Sequence, residues 1–220
     1  MTTPIAFRRP ELRLLPLALA ALGLAVSIGL LAWAWQLRKT VHTYGHEELP
    51  RLSAVPDFTT TSESGATVTR ASLAGKVFIA DFIFTTCRGI CPGMTAKMKS
   101  LESRLRDEPR LRFVSFTVDP EHDTPEVLAR YAKEHGADTS RWSFLRTDTE
   151  SLRRLCREGF RLAVEDAGPA AKEPILHSTR FVLVDAEGTI RGYYDSDEPG
   201  AMAALETDAR KLAREDGGGR

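Results

Sequence analysis

The 220-residue sequence predicts an α/β domain, a mixed sheet flanked by helices, preceded by a single N-terminal transmembrane helix. Three observations carry this expectation. Residues 77–84, VFIADFIF, are an apolar run rich in β-branched and aromatic side chains, as in a strand buried on both faces. Strand and helix signals alternate on either side of it. And residues 14–37, LLPLALAALGLAVSIGLLAWAWQL, contain no charged side chain.

The apolar run comes first in the chain. A bilayer span needs about 20 such residues, and this stretch meets that length. Arg8, Arg9 and Arg13 precede it while Arg38 and Lys39 follow, a mild asymmetry that favours the N-terminus inside. Trp33 and Trp35 sit near the outer end, as interfacial aromatics do. A cleaved signal peptide with Ala32-Trp33-Ala34 as its cleavage site is the alternative, but such apolar regions usually span about 7–15 residues. The expected organisation is a cytoplasmic N-terminus (1–13), an anchor in the inner (cytoplasmic) membrane (14–37) and a linker (38–53). A single-pass topology then places a domain (54–215) in the periplasm, followed by a disordered tail (216–220). In the linker, His42 and His46 lie four apart, but Gly45 and Pro50 disfavour a helix there and both read as solvated.

The domain opens with VPDFTTTSESGATVT, two short β-like pieces around a Ser/Gly turn. After the 77–84 strand and two cysteines, Pro92 can occupy the first position of a helix. Met94, Met98, Leu101 and Leu105 mark one face of that helix, to about residue 106. LRFVSFTV (111–118) is a second strand. DTPEVLARYAKEHG (123–136) has Thr124 as N-cap, Pro125 at N1 and Gly136 as a stop. A short strand at Trp142–Leu145, a helix at Thr149–Glu158, a hairpin from Thr179–Val184 and Thr189–Tyr194, and a helix over 199–214 complete the order.

Composition excludes two classes. Lys+Arg and Asp+Glu both total 30, with no basic block interleaved with aromatics, so no nucleic-acid partner is expected. Three cysteines are too few for a disulfide framework, so the thiols act individually.

Chemistry concentrates after the 77–84 strand, in FTTCRGICPGM. The spacing is Cys-x3-Cys, not the Cys-x2-Cys of a thioredoxin-type redox couple. The pair stands where a central strand gives way to a helix, the carboxyl-end crevice at which open α/β sheets bind ligands. Cys91, directly before Pro92, is best placed for thiolate stabilisation by the helix N-terminus. Cys87 lies in the loop, and Gly89 lets that loop turn back. The two sulfurs can face one another as a Cys87–Cys91 disulfide or as two ligands to one ion. His177, in EPILHSTRFVLVD, directly precedes a predicted strand and is the candidate third partner. Two thiolates and an imidazole form a soft, low-coordinate set suited to copper, above all Cu(I). Zinc competes, although structural zinc usually takes four protein ligands. Met94 and Met98 read as a core stripe, Cys156 beside Leu152 and Leu155 as a small buried apolar residue, and His122 and His135 as solvated.

Three segments in this order, GKVFIADFIFTTCRGICPGM, FTVDPEHDTPEVL and LHSTRFVLVD, resemble the SCO/SenC copper-chaperone proteins, a thioredoxin-like group serving cytochrome c oxidase assembly. The resemblance implies a thioredoxin-like fold in which Cys87, Cys91 and His177 bind copper, as Cu(I) or Cu(II). It also implies delivery of that copper to the dinuclear centre of cytochrome c oxidase subunit II or another copper acceptor, or maintenance of that subunit's thiols. Thiol reductants and copper donor proteins are the further partners. In the second segment Asp119-Pro120 reads as a turn, with Asp119 a candidate for orienting a ligand or loop, and Asp123 and Thr124 read as helix-start chemistry.

The rival reading is a thiol–disulfide oxidoreductase using the same Cys87/Cys91 pair. Besides the spacing, Leu-His-Ser-Thr stands where thioredoxin-like oxidoreductases usually place a cis-proline. Phe84 and Arg88 stand where a peroxiredoxin would have a threonine three residues before its reactive cysteine. The chain is therefore expected not to be an enzyme, apart from an accessory thiol–disulfide reductase activity.

Overall fold

The computed structural model describes residues 19, 22–33, 48–161 and 179–215. Eight strands form one sheet: β1 (Ser53–Ala54), β2 (Thr59–Ser62), β3 (Thr67–Thr69), β4 (Val77–Ile83), β5 (Leu111–Thr117), β6 (Trp142–Arg146), β7 (Arg180–Val184) and β8 (Thr189–Asp195). Their order in space is β1-β8-β7-β4-β5-β6-β2-β3. The central trio β4, β5 and β6 is parallel, and every other pairing is antiparallel. Helices α1 (Cys91–Arg104), α2 (Pro125–Glu134), α3 (Thr149–Arg154) and α4 (Ala201–Glu215) cover the two faces. The mixed α/β, thioredoxin-like architecture is the one expected.

All seven residues of β4 are buried, and their alternation divides the core. Val77, Ile79 and Ile83 face α1, α2 and α4, meeting Met94, Met98, Leu101, Leu128 and Leu205. Phe78, Ala80 and Phe82 face the other way, towards Phe116, Leu152, Leu155 and Phe160. There the Phe82 ring stacks on Phe116 at 5.4 Å and meets Phe160 edge-on at 5.2 Å. Each such side chain contributes about 1.5–3 kcal/mol by leaving water.

The helix signals act as expected. Thr124 Oγ1 accepts the Val127 N–H at 3.4 Å, Pro125 opens α2, and Gly136 ends that segment at φ +65°. Asp148 caps α3 by accepting the Ser151 N–H at 2.9 Å. The 149–158 segment differs from a plain α-helix: after Arg154 it widens into a π-helical turn, Leu155–Gly159. Cys156 is buried in the second core beside Leu152 and Leu155. The globular unit also reaches further back than residue 54, because Leu49 is buried in the first core and Arg191 donates to the Leu49 carbonyl at 2.6 Å.

The expected membrane anchor is corrected. Within 14–37 the described helical stretch is 22–33 together with residue 19. Crossing a hydrocarbon core of about 30 Å takes about 20 consecutive apolar helical residues. Among the described residues no helix is long and apolar enough to cross a membrane. The transmembrane helix, the single-pass inner-membrane placement and the periplasmic position derived from it do not stand. The remainder of 14–37, most of the linker and the tail lie outside the described residues.

One polar residue interrupts β4. Asp81 has no exposed surface, and Ser115, its register partner on β5, donates to Oδ1 at 2.5 Å. Trp142 Nε1 donates to the same Ser115 oxygen at 2.9 Å, while Oδ2 has no hydrogen-bond partner. Burial outweighs the Ser115 bond and raises the Asp81 pKa from 3.8 to about 7. Between those two values the folded chain holds a proton that the unfolded chain has lost, so stability falls as pH rises across this window. The loss amounts to roughly 4 kcal/mol by pH 8. Asp81→Asn keeps the acceptor for Ser115 and removes the titration. Urea unfolding is expected to show the variant gaining about 2–4 kcal/mol on the natural protein between pH 4 and pH 8. A stability difference that stays constant across that range would show that Asp81 is not held neutral.

Candidate metal centre

The parallel pairing of β4 with β5 brings two loops together at one sheet edge. β4 ends at Ile83 and β5 at Thr117, in register, and the Val118 N–H donates to the Ile83 carbonyl at 2.8 Å. The loop after β4 carries Cys87 and leads into α1, whose first residue is Cys91. β7 runs antiparallel to β4 on its other flank, so its first residue, Arg180, lies at the same edge. The structure thus brings Cys87 and Cys91 together at the carboxyl end of a central strand. His177 lies outside the described residues.

The two sulfurs are unequal. Cys87 is half-buried and Cys91 buried at 4% exposure, and both are free thiols. Partial burial alone would raise the Cys87 pKa. The backbone N–H and thiol of Cys91, with the N–H groups of Gly89 and Ile90, outweigh burial and hold it below its ordinary value. Burial pushes the Cys91 thiol up to about 12 against one N–H from Phe84, and the Cys87 sulfur and the Asp81 carboxylate add to the rise. This reverses the sequence-based expectation. Cys91 is indeed at the helix N-terminus, but its side chain turns into the core with Met94 and Met98. The free N–H groups of that terminus and of the preceding turn serve Cys87.

Met94 belongs to the core stripe. It is 2% exposed, and Ser196 Oγ donates to its sulfur at 3.2 Å. Lys97 donates to the Ser196 carbonyl at 2.9 Å, tying α1 to the end of β8. His122 is exposed, and the His135 ring lies tilted against Tyr131 with ring centroids 4.3 Å apart. Among the described residues no group of three or more His, Cys, Asp or Glu side chains could hold a metal ion. The described donor set is therefore the two cysteine sulfurs. Their soft, thiolate character fits copper(I) or zinc.

Carboxylates support the site from below and beside it. Asp119 is buried, its N–H donates to Thr117 Oγ1 at 3.0 Å and its Oδ1 accepts the His122 N–H at 3.3 Å, closing the turn after β5. The carboxylate that bonds the cysteine loop itself is that of Asp123, through Thr85. Asp81, Asp123 and Thr85 were not singled out as site residues from sequence. The one available signal was Asp81, a charge inside a run that reads as buried on both faces.

The inequality of the sulfurs has a direct outcome. On brief exposure of the reduced protein to iodoacetamide near neutral pH, Cys87 is expected to be alkylated at least ~10-fold faster than Cys91 or Cys156. Peptide mass spectrometry reads the order, and preferential labelling of Cys91 would contradict this assignment.

Comparison with known proteins bears on the family and the fold. The SCO1/SenC family profile matches residues 46–212. The SCO1 protein homolog of Bacillus subtilis is 35% identical over 146 residues, covering 66% of this chain and 75% of that protein. BsSco, a member of the Sco family of cytochrome c oxidase assembly proteins with a disulfide switch, superposes with a TM-score of 0.67 at 30% identity, over 77% of this chain and 99% of its own. ScoI of Arabidopsis thaliana with copper bound shares the fold at a TM-score of 0.61 and 23% identity, over 74% of this chain and 99% of its own. A profile match across most of the chain, joined to paired cysteines at the end of a central strand, makes this chain a member of the SCO1/SenC family.

Proposed function

We propose that this chain is a copper-binding chaperone that holds Cu(I) between Cys87, Cys91 and His177 and passes it to the dinuclear copper centre of cytochrome c oxidase subunit II. The observation that carries the reading is the placement of both cysteines at the carboxyl edge of β4, Cys91 in the first core and Cys87 packed against it. Two thiolates held there form a soft site that favours Cu(I) over hard cations. His177 precedes Arg180, the first residue of β7 at that edge, by three positions. A neutral imidazole there would complete a three-coordinate set, open to an incoming ligand from an acceptor protein. Binding releases the Cys91 proton, so uptake strengthens as pH rises. Family membership supports the oxidase-assembly role, as does the likeness to BsSco, a member of the Sco family of cytochrome c oxidase assembly proteins.

A second reading rests on a specific feature. Cys87 is a half-exposed, acid-shifted thiol beside a second free cysteine, as an exchange couple requires. In that role the pair gives two electrons to a partner's disulfide and closes to Cys87–Cys91. The same closure removes both thiolate donors and would gate copper loading.

Anaerobic titration of the reduced full-length chain with Cu(I), against a chelator of known affinity, separates the two. One copper per chain is expected, with Cys87→Ser or Cys91→Ser abolishing tight binding and His177→Ala weakening it roughly 10–100-fold. A His177→Ala protein that binds as tightly as the natural one would remove His177 from the ligand set. Turnover of a disulfide substrate with no copper uptake would favour the exchange couple.

A further inference from the structure

The loop that carries Cys87 is held at its base by one buried carboxylate. Asp123 has no exposed surface. Its Oδ2 accepts the Thr85 N–H at 3.2 Å and the Thr117 hydroxyl, and its Oδ1 accepts the Thr85 hydroxyl at 2.5 Å. Thr85 is two residues before Cys87, and Thr117 is the last residue of β5. Asp123 therefore fastens the cysteine loop to the neighbouring parallel strand.

Its place beside Thr124 suggests a helix cap, but the bonds point elsewhere. Thr124 already caps α2, and the hydrogen bonds of the Asp123 carboxylate go to Thr85 and Thr117. The second cysteine is fixed by other means. Cys91 is the first residue of α1, and α1 is seated through Met94, Met98 and Leu101. The spacing of the sulfurs thus depends on how the 84–90 loop is held. Besides the N–H groups that face the Cys87 sulfur, its ties near Cys87 include the Cys87 N–H to the Phe84 carbonyl, at 3.2 Å, and the Thr85–Asp123 bonds.

We propose that Asp123 is a positioning residue for the cysteine pair. By holding Thr85 it sets where Cys87 stands relative to Cys91, and so tunes both Cu(I) affinity and the closure of the pair to a disulfide. The copper half rests on the function proposed above; the redox half needs only the two thiols. In that half, Cys87–SH and Cys91–SH reduce oxidised glutathione, the new Cys87–Cys91 bond replaces the glutathione S–S bond, and the two protons leave as two reduced glutathiones.

The test uses the full chain with Asp123→Ala, Asp123→Asn and Thr85→Val. Thr60→Val is the control, since it deletes a partly buried bond from the Thr60 hydroxyl to the Val68 carbonyl (2.9 Å) on the β2–β3 flank. Cu(I) affinity is read by anaerobic chelator competition, the disulfide by its equilibrium with reduced and oxidised glutathione, and stability by urea. Asp123→Ala is expected to weaken Cu(I) binding roughly 10–100-fold and to shift the glutathione equilibrium about tenfold. Thr85→Val should move both readouts by less, and Asp123→Asn should recover part of the loss because its amide oxygen still accepts from Thr85 or Thr117. Thr60→Val should change stability alone. Natural copper affinity and natural glutathione equilibrium in Asp123→Ala or Thr85→Val would overturn the proposal and leave Asp123 a stability residue. If Asp123→Ala does not fold, Thr85→Val and Asp123→Asn decide by the same readouts. If the natural chain takes up no Cu(I), the copper reading fails, and the glutathione equilibrium still decides the role of Asp123.

Discussion

Parallel pairing between a strand buried on both faces and its neighbour is the constraint on which this structure depends. With Val77–Ile83 locked against Leu111–Thr117 in register, both strands end at the same height. The two loops that follow must then lie side by side, although Thr85 and Asp123 are 38 positions apart in sequence. The site is a product of that juxtaposition. Each loop is ordered by the strand it leaves, by apolar side chains seated on the cores (Phe84 and Val118), and by hydrogen bonds to the other.

The unequal cysteines follow from the same geometry. A helix that begins where a central strand stops presents its N–H groups to the loop before it and its side chains to the sheet. Cys91 faces the sheet, where apolar neighbours and a carboxylate disfavour charge. Cys87 faces the N–H groups, where charge is favoured. One sulfur is built to receive and the other to retain, a division that suits metal hand-over and thiol exchange alike.

The alternating elements were legible because their signals are local. Met94, Met98, Leu101 and Leu105 repeat at helical spacing, and Thr124-Pro125 is a helix start whatever surrounds it. The β4 run was legible for the same reason. What escaped detection depends on partners distant in sequence. The proximity of Asp123 to Thr124 concealed its bonds to Thr85, and nothing near Asp81 announces that Ser115 will face it. Cys91 departs from the helix-dipole expectation because the dipole acts through the backbone, while the thiol responds to the core it enters. The 14–37 run has the apolar length of a span, yet among the described residues no helix is long and apolar enough to cross a membrane.

The chain of hydrogen bonds from Trp142 through Ser115 to Asp81 has a practical corollary. Trp33 and Trp35 lie in the N-terminal run, so Trp142 is the one indole of the sheet-bearing unit. It is fully buried, two bonds from a carboxylate whose charge is felt at Cys91. The unit thus contains its own optical probe, an intrinsic chromophore joined by hydrogen bonds to the carboxylate beneath the thiols.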